Sequence, residues 1–194
     1  NNITVNEFVH HINYVTYSLD ALRKQMSYFN PGLKYVRAER QIFNIKEFLE
    51  EHKSFYRERC ERNNIIFQLN IYTDFAVRTN KGMLNQVFDN MFNNSEYWLE
   101  FSRDYGYISE KEYFIEINEK GFVLVWDNGI GISRDIEDRL FEPFESKKEK
   151  GRGLGLYIVA SNLHYNSANI RLLEERNKFG NLYKFEINFL DAMQ

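Results

Sequence analysis

Five consecutive apolar residues, Phe122-Val123-Leu124-Val125-Trp126, run directly into Asp127-Asn128-Gly129-Ile130-Gly131. A short, unbroken apolar run of this kind reads as a β-strand covered on both faces. It therefore commits the chain to a layered fold built around a sheet. The glycines that follow allow a sharp turn and the close approach of a ligand to the backbone. An acid at the end of a buried strand is placed to orient a partner by accepting a hydrogen bond. Asp-Asn-Gly is also an ordinary turn sequence, so this segment alone leaves open a pocket wall or a plain turn.

The remaining composition narrows the field. The chain has 194 residues, 43% hydrophobic and 27% charged, with a formal net charge of −3. That length suits one compact domain with an appendage. The charge gives no basic surface for nucleic acid or an anionic membrane, and no apolar run approaches the roughly 20 residues of a membrane span. The single cysteine, Cys60, excludes an internal disulfide, and a cytoplasmic setting is expected. His10, His11, His52 and His164 form no cluster with acids that would hold zinc. The chain begins at Asn1 without a signal peptide and reads as a piece of a longer protein.

Two regions differ in pattern. Over residues 1–32, Val5, Phe8, Ile12, Val15, Leu19, Leu22, Met26 and Phe29 recur at alternating steps of three and four, ending at Asn30-Pro31-Gly32. This is a heptad seam that one helix cannot bury alone, so it is expected to pack against the same helix of a second chain in a homodimer, against a further helix outside this sequence, or both, with the chain's own domain as the other candidate. Over residues 33–194 helices and strands alternate: a short strand at Gln41–Asn44, a helix from Ile45 to about Asn63, a strand at Ile65–Tyr72, and a strand near Phe75–Arg78. Asn80 is placed to cap a helix reaching about Phe101. A hairpin follows at Tyr113–Trp126, then a short helix after Ser133, a helix around Leu156–Leu163, and strands at Ile170–Leu173 and Tyr183–Phe189. The strands outnumber simple βαβ crossovers, so the expected fold is α+β: a two-layer sandwich whose mixed sheet carries helices on one face.

Two further segments carry chemistry. On the helix after Asn80, Asn90 and Asn94 lie one turn apart beside the apolar face formed by Leu84, Val87, Phe88, Met91, Phe92, Ser95 and Leu99. Buried amides need partners, and a carboxamide oxygen suits Mg²⁺, which keeps few protein ligands beside phosphate and water. The segment from Phe141-Glu142-Pro143-Phe144 through Lys147, Lys148 and Lys150 to Gly151-Arg152-Gly153-Leu154-Gly155-Leu156 passes from an aromatic anchor to a charged stretch and then to glycines opening a helix. Such a helix start offers backbone N–H groups and a positive dipole end to an anion, and the segment looks like a lid over polyphosphate.

In this order, these elements resemble the GHKL superfamily of gyrase B, Hsp90, histidine kinases and MutL, and within it the catalytic and ATP-binding domain of sensor histidine kinases. Asn90–Ser95 is similar to their N box, Asp127–Gly131 to the first glycine box, Phe141–Phe144 to the F box, and Gly151–Leu156 to the second glycine box. The resemblance implies a Bergerat-type ATP-binding fold, Mg²⁺ and ATP as cofactors, γ-phosphoryl transfer to a histidine, and a response regulator as partner. It gives Asn94 the metal, Asp127 together with Gly129 and Gly131 the adenine end, and Trp98 an aromatic contact with the base. Lys147, Lys148, Gly151, Arg152, Gly153, Leu154 and Gly155 fall to the phosphate lid.

Asn90 stands where the clamp-type members carry a glutamate base, and asparagine cannot act as one; histidine kinases commonly have asparagine there. Two positions depart from the kinase pattern. Tyr97 replaces the usual lysine before the aromatic residue. His10 lacks the acid and proline that follow a phosphoacceptor histidine, so the acceptor is expected upstream of Asn1, with His10 a weak candidate. An ATP-driven clamp with slow hydrolysis and a non-catalytic nucleotide-responsive module remain the alternatives.

Overall fold

The structure, a computed structural model, describes residues 39–148 and 153–194. The heptad helix, His10, and the boundary expected at residue 32 lie outside these residues, as do Lys150, Gly151 and Arg152.

Strand β1 (Gln41–Asn44) leads into helix α1 (Ile45–Arg62), where the Asn44 side chain accepts the Glu47 N–H at 3.2 Å as N-cap. Strands β2 (Ile65–Ile71) and β3 (Ala76–Thr79) precede helix α2 (Lys81–Asp104). Asn80 caps α2 as expected, accepting the Met83 N–H at 3.0 Å. The hairpin β4 (Lys111–Ile117) and β5 (Phe122–Asp127), a 3-10 turn at Arg134–Arg139, helix α3 (Gly155–Tyr165), and strands β6 (Asn169–Leu172) and β7 (Phe185–Asn188) complete the order.

The main sheet runs β2-β4-β5-β7-β6, with β2 and β4 parallel and every other pair antiparallel. The single parallel pair exists because α2 intervenes between β2 and β4 and returns the chain in the same direction. The segment expected near Phe75–Arg78 pairs antiparallel with β1 in a separate two-stranded ribbon.

Alternation along the strands separates two faces. Tyr113, Ile115, Ile117, Val123, Val125 and Ile187 are fully buried against Phe88, Phe92 and Leu99 of α2, Leu49 of α1, and Val159 and Leu163 of α3. Phe122, Leu124 and Trp126 remain half-buried on the other face. The expectation that β5 is covered on both faces is therefore wrong. In an antiparallel setting the run needs only one covered face, and the apolar residues of its second face cover one another. Phe114 and Trp126, directly opposite across β4 and β5, stack with centroids 4.9 Å apart and planes 5° from parallel. The Lys184 ammonium lies 4.8 Å over the Trp126 ring.

A chain of buried amides joins α2 to α3. Asn166 Oδ1 accepts the Asn80 N–H at 2.7 Å, its Nδ2 donates to Asn162 O at 2.7 Å, and Asn162 Nδ2 donates to Gln86 Oε1 at 3.0 Å. These bonds fix the spacing of the two helices that flank the cavity.

Candidate functional site

The turn after β5 is held open by side chains rather than by turn geometry alone. Asp127 Oδ1 accepts the Gly129 N–H at 2.9 Å, and the Ser95 side chain of α2 also bonds this carboxylate. Burial pushes the Asp127 carboxyl above its ordinary range, while Ser95, the Gly129 N–H and the Lys148 charge pull it back. A Cβ at position 129 would lie 2.8 Å from Asp127 Oδ1 and 3.1 Å from Ser102 Oγ, so any larger residue there would push aside the two side chains that bond this turn. Ser102 Oγ donates to Trp98 O at 2.6 Å and accepts the Ile130 N–H at 3.1 Å. Asn128 grips β4, accepting the Glu112 N–H at 3.0 Å and donating to Glu110 O at 2.9 Å. Asn177 Nδ2 and Asn181 Nδ2 donate to Gly129 O and Ile130 O at 3.2 and 2.9 Å. The backbone of Gly129 and Ile130 is thereby bonded on both its N–H and C=O sides.

Beyond this loop a cavity of about 570 Å³ opens between α2 and the start of α3. Asn90, Asn94 and Trp98 line it from α2, Gly131 from the glycine turn, and Lys147, Lys148, Gly153, Leu154 and Gly155 from the segment entering α3. Asn90 Nδ2 donates to Gln86 O at 2.7 Å, and its Oδ1 lies 3.5 Å from the position of a Cβ on Gly155. The amide thus spends one of its two N–H donors on its own helix and turns its acceptor toward α3. Leu154 at the N-cap of α3 makes no side-chain cap bond, so among the described residues no N-cap side chain takes the first N–H groups of this helix. Glu145 also lines the cavity but is engaged by Arg139 at 2.6 Å. Asp89, next to Asn90, accepts the Tyr56 hydroxyl of α1 and is turned away from the cavity.

The entering segment is closed at its base. Phe144 N–H donates to Gly153 O at 2.8 Å, and Gly153 has φ +65°. Lys147 pairs with Asp135, whereas Lys148 sits over the Tyr97 ring at 4.6 Å.

The sequence-predicted residues thus separate into two groups. Asn90, Asn94, Trp98, Gly131, Lys147, Lys148, Gly153, Leu154 and Gly155 share the cavity. Asp127 and Gly129 line an adjoining cleft of about 450 Å³ with Phe114, Trp126 and Tyr183. Ser95 and Ser102, seven residues apart on the buried side of α2, were missed as part of the site. Their signal was available: a serine on an apolar helix face is a hydroxyl that needs a partner. Among the described residues no group of acidic, histidine or cysteine side chains is arranged to hold a metal. A cation in this cavity would meet neutral amide oxygens, the donor set that suits Mg²⁺ shared with phosphate.

Residues 79–189 match the family described as histidine kinase-, DNA gyrase B-, and HSP90-like ATPases. The chain is 31% identical over 146 residues to the sensor protein kinase PilS of Pseudomonas aeruginosa, covering 69% of this chain and 25% of that one. It is 27% identical over 152 residues to sporulation kinase A of Bacillus subtilis, covering 76% and 23%. The chain thus spans about a quarter of the length of these relatives. The nucleotide-free catalytic domain of the histidine kinase ThkA superposes with a TM-score of 0.62 at 24% identity, covering 78% of this chain and 96% of that one. ThkA in complex with the response regulator TrrA aligns with a TM-score of 0.60 at 21% identity, covering 97% and 53%. With sheet order, glycine turns and the paired asparagines all in place, the chain belongs to the histidine kinase-, DNA gyrase B- and HSP90-like ATPases, as an ATP-binding catalytic domain of the histidine-kinase type.

Proposed function

We propose that the cavity between α2 and α3 binds Mg·ATP and that the protein transfers the γ-phosphoryl group to a histidine outside this 194-residue sequence. The observation that carries this reading is the convergence of Asn90, Asn94 and the uncapped start of α3 on one cavity. Asn94 offers the amide oxygen that holds Mg²⁺, and the Gly155 end of α3 takes the phosphates. Trp98 packs against the base, and Asp127 accepts from the adenine amino group. Guanine presents a carbonyl at that position, which would leave the carboxylate facing another acceptor. When bound, Mg²⁺ supplies charge neutralisation across the phosphates, which is most of what phosphoryl transfer requires. A clamp-type ATPase needs a base one turn before Asn94, and the Asn90 amide cannot take a proton there. Dimerisation through the helix at 1–32, a response regulator as acceptor of the phosphoryl group, and a cytoplasmic location complete the proposal. No helix among the described residues is long and apolar enough to cross a membrane.

The test uses the full-length protein with γ-labelled ATP. Acid-labile, base-stable phosphoprotein is expected, and Asn94→Ala should abolish it. Label that survives Asn94→Ala removes the metal role from this residue. Free phosphate without phosphoprotein favours the clamp, and binding without either product favours a nucleotide-responsive module. Failure of the wild type to bind ATP defeats all three.

A further inference from the structure

The loop between β6 and β7 brings a residue to the nucleotide cavity that none of the sequence motifs contains. Asn181 lines that cavity beside Gly131, Ile132 and Ser133. The loop is folded on itself before it meets the glycine turn. Asn177 Oδ1 accepts the Phe179 and Asn181 N–H groups at 2.9 and 3.2 Å, and Asn177 N–H donates to Asn181 O at 2.9 Å. The Leu182 carbonyl then accepts the Ile132 N–H at 2.7 Å. Gly131 permits this approach. It has φ +79°, and a Cβ there would lie 2.8 Å from Asn177 Nδ2, 2.8 Å from Leu182 O and 3.0 Å from Asn181 Cβ. The Asn181 side chain is therefore pressed against the turn, and its amide has one orientation. Nδ2 donates to Ile130 O at 2.9 Å, and a flipped amide would set two oxygens against each other. Among the described residues no donor is bonded to its Oδ1.

We propose that Asn181 is a further specificity-determining residue of this cavity, whose fixed amide oxygen accepts a donor hydrogen of the bound nucleotide. This rests on the nucleotide reading of the cavity. Asn181 is half-buried, so its oxygen loses part of its hydration when a ligand fills the space beside it. An acceptor covered without a partner costs binding energy, and one met by a donor does not. Asp127 opens on the adjoining cleft and already takes the Ser95 and Gly129 donors, whereas Asn181 lines the cavity itself. The N–H and O–H donors that ATP carries are the base amino group and the ribose hydroxyls. A ligand that lacks the donor facing Asn181 covers the oxygen and leaves it unpaired, which is how the residue discriminates.

The experiment measures the affinities of the full-length protein and of Asn181→Ala for ATP, N6-methyl-ATP, 2′-deoxy-ATP and 3′-deoxy-ATP by titration calorimetry. The wild type should prefer ATP by about tenfold over the analogue that lacks the donor facing Asn181. In Asn181→Ala that preference should fall to within about twofold, and the analogue concerned shows whether the base or the sugar supplies the hydrogen. Asn181→Ala also frees Ile130 O. A purely structural role would therefore weaken all four ligands alike and leave their ratios unchanged. Asn181→Ser keeps a hydroxyl near Ile130 O but withdraws the acceptor from the cavity, and it decides the matter if circular dichroism shows that Asn181→Ala is unfolded. A wild type that binds ATP without preference among the four, or preferences that persist in the folded variant, overturns this role and leaves the nucleotide site standing. A wild type that binds none of the four overturns both.

Discussion

Replacing Gly153 by alanine isolates what the closed base of the segment contributes to nucleotide binding. The residue has φ +65°, and a Cβ there would lie 2.3 Å from Phe144 C, 2.6 Å from Glu145 N and 2.7 Å from Phe144 Cα. All three are backbone atoms, so no rotamer change relieves the clash, and the Phe144–Gly153 hydrogen bond must open. The left-handed conformation costs a non-glycine residue about 1–2 kcal/mol, and the broken bond adds about 1 kcal/mol. The closed arrangement is then disfavoured by about 2–3 kcal/mol, a factor of roughly 30 to 150 in its population. The core does not depend on this contact, so the loss should be local. Calorimetric titration with ATP should show affinity weakened toward that factor, while the melting temperature stays within about 2 °C of wild type. ATP affinity within about twofold of wild type would refute the claim that the closed base organises the phosphate end.

Ser102→Ala leaves the Ile130 N–H without its partner and should lower stability by about 1–3 kcal/mol in urea denaturation; a loss near zero would show that the glycine turn does not hang on α2. His52 is buried in an aromatic cluster with Phe48, Tyr56 and Phe88, and burial lowers its pKa from 6.5 to about 4. Its folded pKa lies below the unfolded one, so the unfolded chain takes up the proton first as pH falls. Stability is constant above about 6.5 and declines toward 4 by up to about 3 kcal/mol. His52→Phe should flatten that decline, and an unchanged pH dependence of unfolding between 7.5 and 4.5 would remove His52 as its source.

The element order was legible because each piece carries a local cause. Asn44 and Asn80 cap their helices through the side-chain acceptors that such residues supply, and the buried alternation of β4 follows its sequence. The face assignment of β5 was not legible. Whether a run such as Phe122–Trp126 is covered once or twice depends on what Phe114 presents across the hairpin, and periodicity within one strand does not report that. The two asparagines of α2 could be placed from helical spacing alone. The position of Lys148 could not, because the aromatic seat that holds it lies about 50 residues earlier on another element. Ser95 lies between these cases: helical spacing puts it on the apolar face of α2, but its bond to Asp127 joins two elements that are distant in sequence.

Asn90 is where the local structure bears most directly on the fate of the phosphoryl group. One of its amide hydrogens is committed to Gln86 O, and its oxygen is turned toward the first turn of α3. An amide oxygen accepts a hydrogen bond but does not take a proton near neutral pH, so it can orient a group without activating it. The acids that could substitute are occupied elsewhere: Asp89 by the Tyr56 hydroxyl, and Glu145 by Arg139. Among the described residues lining the cavity, a water molecule entering beside the phosphates would find acceptors but no unengaged carboxylate. A neutral imidazole brought in from outside needs no base, because it attacks through a nitrogen lone pair that is already available. For the proposed function, this arrangement disfavours hydrolysis relative to transfer to histidine, and that asymmetry follows from which side chains around α2 are already engaged.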